Sequence, residues 1–168
     1  EMADIHDKKT RSYNMSQIRS RDTKPELVIR KYLHSKGLRY RLYDKKLPGK
    51  PDLVFRKYKT VIFVNGCFWH GHKGCRYFKI PKTRSDWWEA KINTTKERDF
   101  QKTAELEKAG WNVITIWECD LKGDSKEKNL YDLKKKINYK NYHDQMERNQ
   151  NVNLSMNKTE RSKDLQNL

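Results

Sequence analysis

The sequence predicts a mixed α/β domain, one sheet with helices on both faces. Three observations lead there. A well-signalled helix spans residues 23–36. Three apolar runs joined by short turns follow it. A long helical stretch then separates the third run from a fourth. A meander followed by a helical crossover gives a sheet that is antiparallel in one part and parallel in another.

Each element has its own signature. Thr23-Lys24-Pro25-Glu26 combines a capping residue, a proline tolerated in the first turn, and a glutamate three after the threonine, the pattern of a capping box. Val28, Ile29, Tyr32 and Leu33 form one apolar face, and Gly37 suits the position just past the helix end. Tyr40–Tyr43 and Asp52–Phe55 read as strands around the turn Leu47-Pro48-Gly49-Lys50-Pro51. Thr60–Val64 is a continuous apolar run, as in a strand buried on both faces. Residues 65–84 have no period. A helix is expected from Ser85 to Ala109 with Gly110 as its stop, then a core strand Trp111–Trp117, then a helix near 128–137. The resulting order, α-β-β-β-α-β, is that of the restriction-endonuclease-like core, one candidate among several on order alone.

Three segments are expected: an arm at 1–22, a folded domain at 23–137, and a polar tail at 138–168 that is disordered or loosely docked. The tail has five basic and four acidic residues, so nearly all of the net charge of +16 belongs to the body. Charge of that sign and size points to a polyanion, with nucleic acid ahead of an anionic membrane surface. No apolar run approaches membrane-spanning length, residues 1–14 lack the core of a signal peptide, and a cytoplasmic location is expected. Only 35% of residues are apolar, so the core must be compact.

Cys67, His72 and Cys75 lie within nine residues, and Cys119 ends the last strand. Three thiolates and an imidazole suit a closed, structural zinc site. His70 is the alternative fourth ligand, and spacing does not choose between the two histidines. The histidine that is not a ligand is free to act as a general base. Asp52, after Pro51, is either a turn residue or an oxygen ligand for a hard divalent cation such as Mg2+. The meander sets it beside Phe63-Val64-Asn65, where the Val64 carbonyl is a second candidate ligand and Glu26 a candidate for contact through water. Trp88, Ile92, Lys96 and Asp99 share one face of the long helix, which makes Asp99 a candidate to orient a histidine base.

Asp4-x-His6-Asp7-Lys8-x-Thr10-Arg11-Ser12, Met15 and Arg21-Asp22-Thr23 resemble the amino-terminal arm of very-short-patch repair (Vsr) endonucleases. So do Leu47-Pro48-Gly49-Lys50-Pro51-Asp52, the block Val61 to His72 that includes Cys67-Phe68-Trp69-His70, Lys91-Ile92 through Glu97-Arg98-Asp99, and Gly110-Trp111 to Trp117-Glu118-Cys119. The resemblance covers roughly residues 3–137. It implies a magnesium-dependent endonuclease that nicks DNA 5′ to the T of a T:G mismatch left by deamination of 5-methylcytosine. It implies that Asp52 and the Val64 carbonyl bind magnesium, that His70 is the base with Asp99 behind it, and that Glu26 assists through water. Cys67, His72, Cys75 and Cys119 would bind zinc. Phe68, Trp69 and Trp88 would wedge into the base stack, where a ring recovers ~1–3 kcal/mol of stacking per base. Met15 and Ile18 would approach from the minor groove. A monomer is implied, with a MutL-type repair protein as a possible partner. Two departures stand out. Asn65 occupies a position where the best-known member has an assisting histidine. The zinc loop, with Lys73-Gly74, is one residue longer. A related nuclease of different specificity and a non-catalytic zinc DNA-binding module are the competing functions.

Overall fold

The computed structural model describes residues 7–17 and 21–137. The expected tail and Ile18 lie outside them.

Helix α1, Lys8–Ser16, begins at Asp7, whose carboxylate accepts the Thr10 N–H at 2.7 Å. Its described side chains are all exposed, Met15 among them, so the arm presents a helix to its surroundings. Helix α2, Lys24–Ser35, starts as expected: the Glu26 carboxylate accepts from the Thr23 hydroxyl at 2.7 Å and from its N–H at 3.4 Å. It ends in a Schellman motif: Leu38 N–H reaches the Leu33 carbonyl and Gly37 N–H the His34 carbonyl.

Strands β1 (Arg41–Leu42), β2 (Leu53–Phe55), β3 (Thr60–Asn65) and β4 (Asn112–Trp117) form the sheet in that order. The first two pairings are antiparallel and β3 runs parallel to β4, the mixed arrangement that a meander and one crossover require. The crossover contains helix α3, Ser85–Lys108. Helix α4, residues 126–137, follows β4.

Alternation along the strands divides the core. Leu53, Phe55, Ile62, Ile114 and Ile116 face α2 (Ile29, Leu33) and α4 (Leu130, Leu133, Ile137). Val54, Val61, Phe63 and Val113 face the opposite way, toward Leu106 of α3. Helices thus cover both faces, which explains the unbroken apolar run Val61–Val64 of β3. Gly49 is required by the turn before β2: at φ +72°, a Cβ there would lie 3.1 Å from the Phe63 ring and 3.2 Å from Lys102. That close approach brings the chain into β2 with Asp52 at its mouth.

Candidate active site and metal centre

The site lies at the carboxyl end of β3 and β4, where a parallel pair leaves its crevice. Asp52 immediately precedes β2, and one of its carboxylate oxygens accepts the Val64 N–H at 2.7 Å. The predicted neighbourhood of Asp52 and Val64 is therefore present, through a backbone donor that the sequence did not reveal. Burial pushes the Asp52 pKa up to about 6, against the Val64 hydrogen bond; Glu26 also raises it, while Arg30 and His70 oppose the rise. A part-buried carboxylate short of positive charge is a fit position for a cation.

Glu26 is buried, and its oxygens are engaged by protein. Besides Thr23, it accepts from the Asp22 N–H at 3.2 Å, Arg30 Nη2 at 2.7 Å and the Tyr43 hydroxyl at 2.5 Å. Its negative charge reaches Asp52.

His70 Nδ1 stands 2.5 Å from Asp99 Oδ2. A carboxylate only accepts, so Nδ1 carries the hydrogen and Nε2 is left as the basic nitrogen. The pairing depends on Gly71. At φ +60° it packs so closely on α3 that a Cβ would lie 2.6 Å from Ile92 Cγ2 and 2.3 Å from Lys96 Cε. The shared face of Trp88, Ile92, Lys96 and Asp99 is thus the surface on which the 66–72 loop lies.

Gly71 also separates the two histidines by role. His70 turns to Asp99, while His72 joins Cys67, Cys75 and Cys119 in a cluster whose ligand atoms all lie within 4.8 Å of one another. A tetrahedral ion with bonds of about 2.0–2.3 Å needs ligand atoms roughly 3.5 Å apart, and Cys119 Sγ lies 3.4 Å from His72 Nδ1. The donor set and its spacing fit a metal of the zinc type. Burial and the two neighbouring thiols push Cys119 up to about 12, and burial raises Cys67. At Cys75 desolvation is outweighed by the Tyr77 N–H and the other two thiols, and its pKa falls. Crowded sulfurs of this kind deprotonate together only with a cation among them.

Phe68, Trp69 and Trp88 form a half-buried cluster. Phe68 lies 5.1 Å from each tryptophan, and the two tryptophans are 6.1 Å apart. Asn65 pairs with Trp117 at the same sheet end. Met15 lies exposed on α1. The structure therefore gathers Asp52, Val64 and Glu26, pairs His70 with Asp99, and brings together the four candidate metal ligands and the three aromatic residues.

Four further residues were not singled out from sequence. Trp87, 45% exposed, meets Trp88 at 4.8 Å and lies under Arg84 and Lys91. Trp117 stacks flat on His72, with centroids 4.0 Å apart and planes 2° apart. Its position two before Cys119 was an available signal. Arg30 and Tyr43 hold Glu26; the i, i+4 spacing of Glu26 and Arg30 was legible, but Tyr43 needed the fold.

A family model described as DNA mismatch endonuclease Vsr matches residues 3–76. The "DNA mismatch endonuclease Vsr" of Escherichia coli (strain K12) is 47% identical over 125 residues, 74% of this chain and 80% of that protein. The "Type II nicking enzyme V.NmeAIP" of Neisseria meningitidis serogroup A is 50% identical over 121 residues, 72% of this chain and 86% of the relative. "Type II nicking enzyme V.XorIIP" of Xanthomonas oryzae pv. oryzae is 48% identical over 120 residues, 71% and 88% of the two chains. Similarity of this depth and coverage, on a chain with this Asp, His and Cys geometry, assigns the protein to the Vsr family of DNA mismatch endonucleases.

Proposed function

We propose that this chain nicks double-stranded DNA on the 5′ side of the T in a T:G mismatch, opening the strand for short-patch repair. The observation that carries the reading is the His70–Asp99 pair, at 2.5 Å, on a loop that also bears two residues of an aromatic cluster. A base and a wedge belong together in an enzyme that must open a stack before cutting beside it. The relatives named as a mismatch endonuclease and as nicking enzymes support the same class of reaction.

In this reading Asp52 and the Val64 carbonyl would hold Mg2+, and Glu26 would assist through water. When bound, the cation supplies charge that offsets the negative charge growing on the phosphate. His70 Nε2 takes the proton of the attacking water, and Asp99 holds the ring in the tautomer that allows it. As the water oxygen bonds to phosphorus, the bond from phosphorus to the 3′ oxygen breaks, and the departing oxygen takes a proton from solvent, giving a 3′ hydroxyl and a 5′ phosphate. Asn65 offers an amide donor to a phosphate oxygen but cannot act as an acid near neutral pH. Cys67, His72, Cys75 and Cys119 would hold Zn2+, which would anchor the loop that carries His70. Phe68, Trp69 and Trp88 enter the stack at the mismatch, where unstacking costs least, and Met15 and Ile18 meet the minor groove. The core is of the restriction-endonuclease-like type. The enzyme works as a monomer in the cytoplasm, and a MutL-type protein is a suitable repair partner. No helix of the described residues is long and apolar enough to cross a membrane.

The reading is tested on duplexes that differ in one base pair, T:G or T:A, in several methyltransferase target contexts. Magnesium-dependent nicking of the T strand of the mismatch is expected. Equal cleavage of paired DNA would point instead to a restriction-type specificity, and binding without cutting to a non-catalytic module.

A further inference from the structure

The polar cluster behind Asp52 is more elaborate than helix capping requires. Thr23 and Glu26 alone complete the start of α2, yet Arg30 and Tyr43 converge on the same carboxylate. The Tyr43 hydroxyl donates to Glu26 Oε2 at 2.5 Å and accepts from the Asp22 N–H at 2.9 Å and from Arg30 Nη2. Arg30 also donates to Asp22 Oδ1 at 2.5 Å and to Glu26 at 2.7 Å. Tyr43 adopts a left-handed backbone, φ +48°, which a bulky residue rarely does without compensation. Arg30 is 8% exposed, and its buried Nε has no partner among the described residues. A buried charged group with an unmet donor costs stability. Against desolvation by burial, the partners Asp22, Tyr43 and Glu26 still raise the Arg30 pKa, so the cluster holds the charge, but capping α2 is a poor account of why it is there.

Its location suggests a better one. Leu42 pairs with Leu53 at the end of the β1–β2 ladder. Tyr43 and Asp52 are the residues that adjoin this last pair, so both lie at the same end of the ladder. The same cluster grips Asp22, the last residue of the arm segment.

We propose that Tyr43 and Arg30 are positioning residues for the catalytic cation: they fix Glu26 relative to Asp52 and tie that geometry to the arm through Asp22. The proposal rests on the reading of Asp52 as a metal ligand. Neither side chain touches substrate. Tyr43 acts as a strut between β1 and α2, and Arg30 as the counter-charge that keeps two carboxylates close together.

Tyr43→Phe removes one hydroxyl and little else. Mn2+ binding to the protein alone, followed by electron paramagnetic resonance, should weaken about tenfold in this variant, as is usual when support for a metal ligand is lost. The kcat for nicking should fall by a similar factor. KM for DNA and the unfolding midpoint should stay near wild type. Arg30→Lys, which keeps charge but not the planar fork, should show the same split. Unchanged Mn2+ affinity and kcat in Tyr43→Phe would overturn the proposal. So would losses that track a lowered unfolding midpoint or weakened DNA binding, since those would make the cluster merely structural. If the wild-type protein does not nick a mismatch, the functional reading fails, and the Mn2+ titrations still decide the role of the cluster.

Discussion

His70 and Asp99 are 29 positions apart in sequence and 2.5 Å apart in space, Nδ1 to Oδ2. The contact places the hydrogen on Nδ1 and aims the other nitrogen away from the carboxylate. Asp99→Asn keeps the size and a hydrogen bond, but its amide N–H can donate to Nδ1 and so favour the wrong tautomer. Single-turnover nicking should slow by roughly 10²–10⁴-fold with DNA affinity unchanged. Retention of the wild-type rate would remove His70 from its role as the oriented base.

Asp52 gives a prediction about pH. In the fold its pKa is about 6, against an ordinary 3.8, so the native chain holds this proton more tightly than the unfolded chain. The contribution is fully present below about pH 4 and is lost as pH rises through about 6. Without magnesium, Asp52→Asn should therefore match wild-type stability at pH 4 and exceed it above pH 6, by on the order of 1–3 kcal/mol. The same variant should not cut. Denaturant unfolding at the two pH values checks the sign.

Much of this was legible beforehand, for identifiable reasons. The capping box at Thr23 and Glu26, the stops at Gly37 and Gly110 and the apolar run at 60–64 are local signals, and local signals survive folding. The three cysteines of the candidate metal centre were legible because cysteine is scarce here, whereas spacing left His70 and His72 both open as the fourth ligand and only the resemblance named His72. The choice of His70 over His72 was not legible from spacing, because it turns on Gly71, whose left-handed backbone sends the two rings in different directions. Tyr43 was hidden for another reason: its partners lie on α2, and only the pairing of β1 with β2 brings them together. The Asp52–Val64 hydrogen bond likewise requires the register.

Gly71 and Gly74 provide an internal comparison. Both have positive φ, +60° and +71°, but a Cβ at Gly74 would meet nothing within 4 Å, whereas at Gly71 it would collide with Ile92 and Lys96. Gly74→Ala should cost about 1–2 kcal/mol of backbone strain. Gly71→Ala should cost more and should also lower nicking, because it displaces His70 from Asp99. Equal unfolding midpoints for the two variants would contradict this packing account.

The metal centre should bind one zinc per chain, and Cys119→Ser should lower both zinc content and the unfolding midpoint. Trp117→Ala leaves all four ligands in place but removes the ring that stacks on His72 at 4.0 Å. Its zinc affinity, measured by competition with a chelator, should fall by roughly 10–100-fold. An unchanged affinity would mean that His72 is oriented by its own loop.

The central claim is that the aromatic cluster and the His70–Asp99 base act together at a mismatch. The most direct measurement compares single-strand nicking of two otherwise identical duplexes, one with T:G and one with T:A, with and without magnesium. The account predicts cutting 5′ to the mismatched T only, and only with the cation. Cutting of both duplexes at the same rate, or no cutting in any target context, would contradict it.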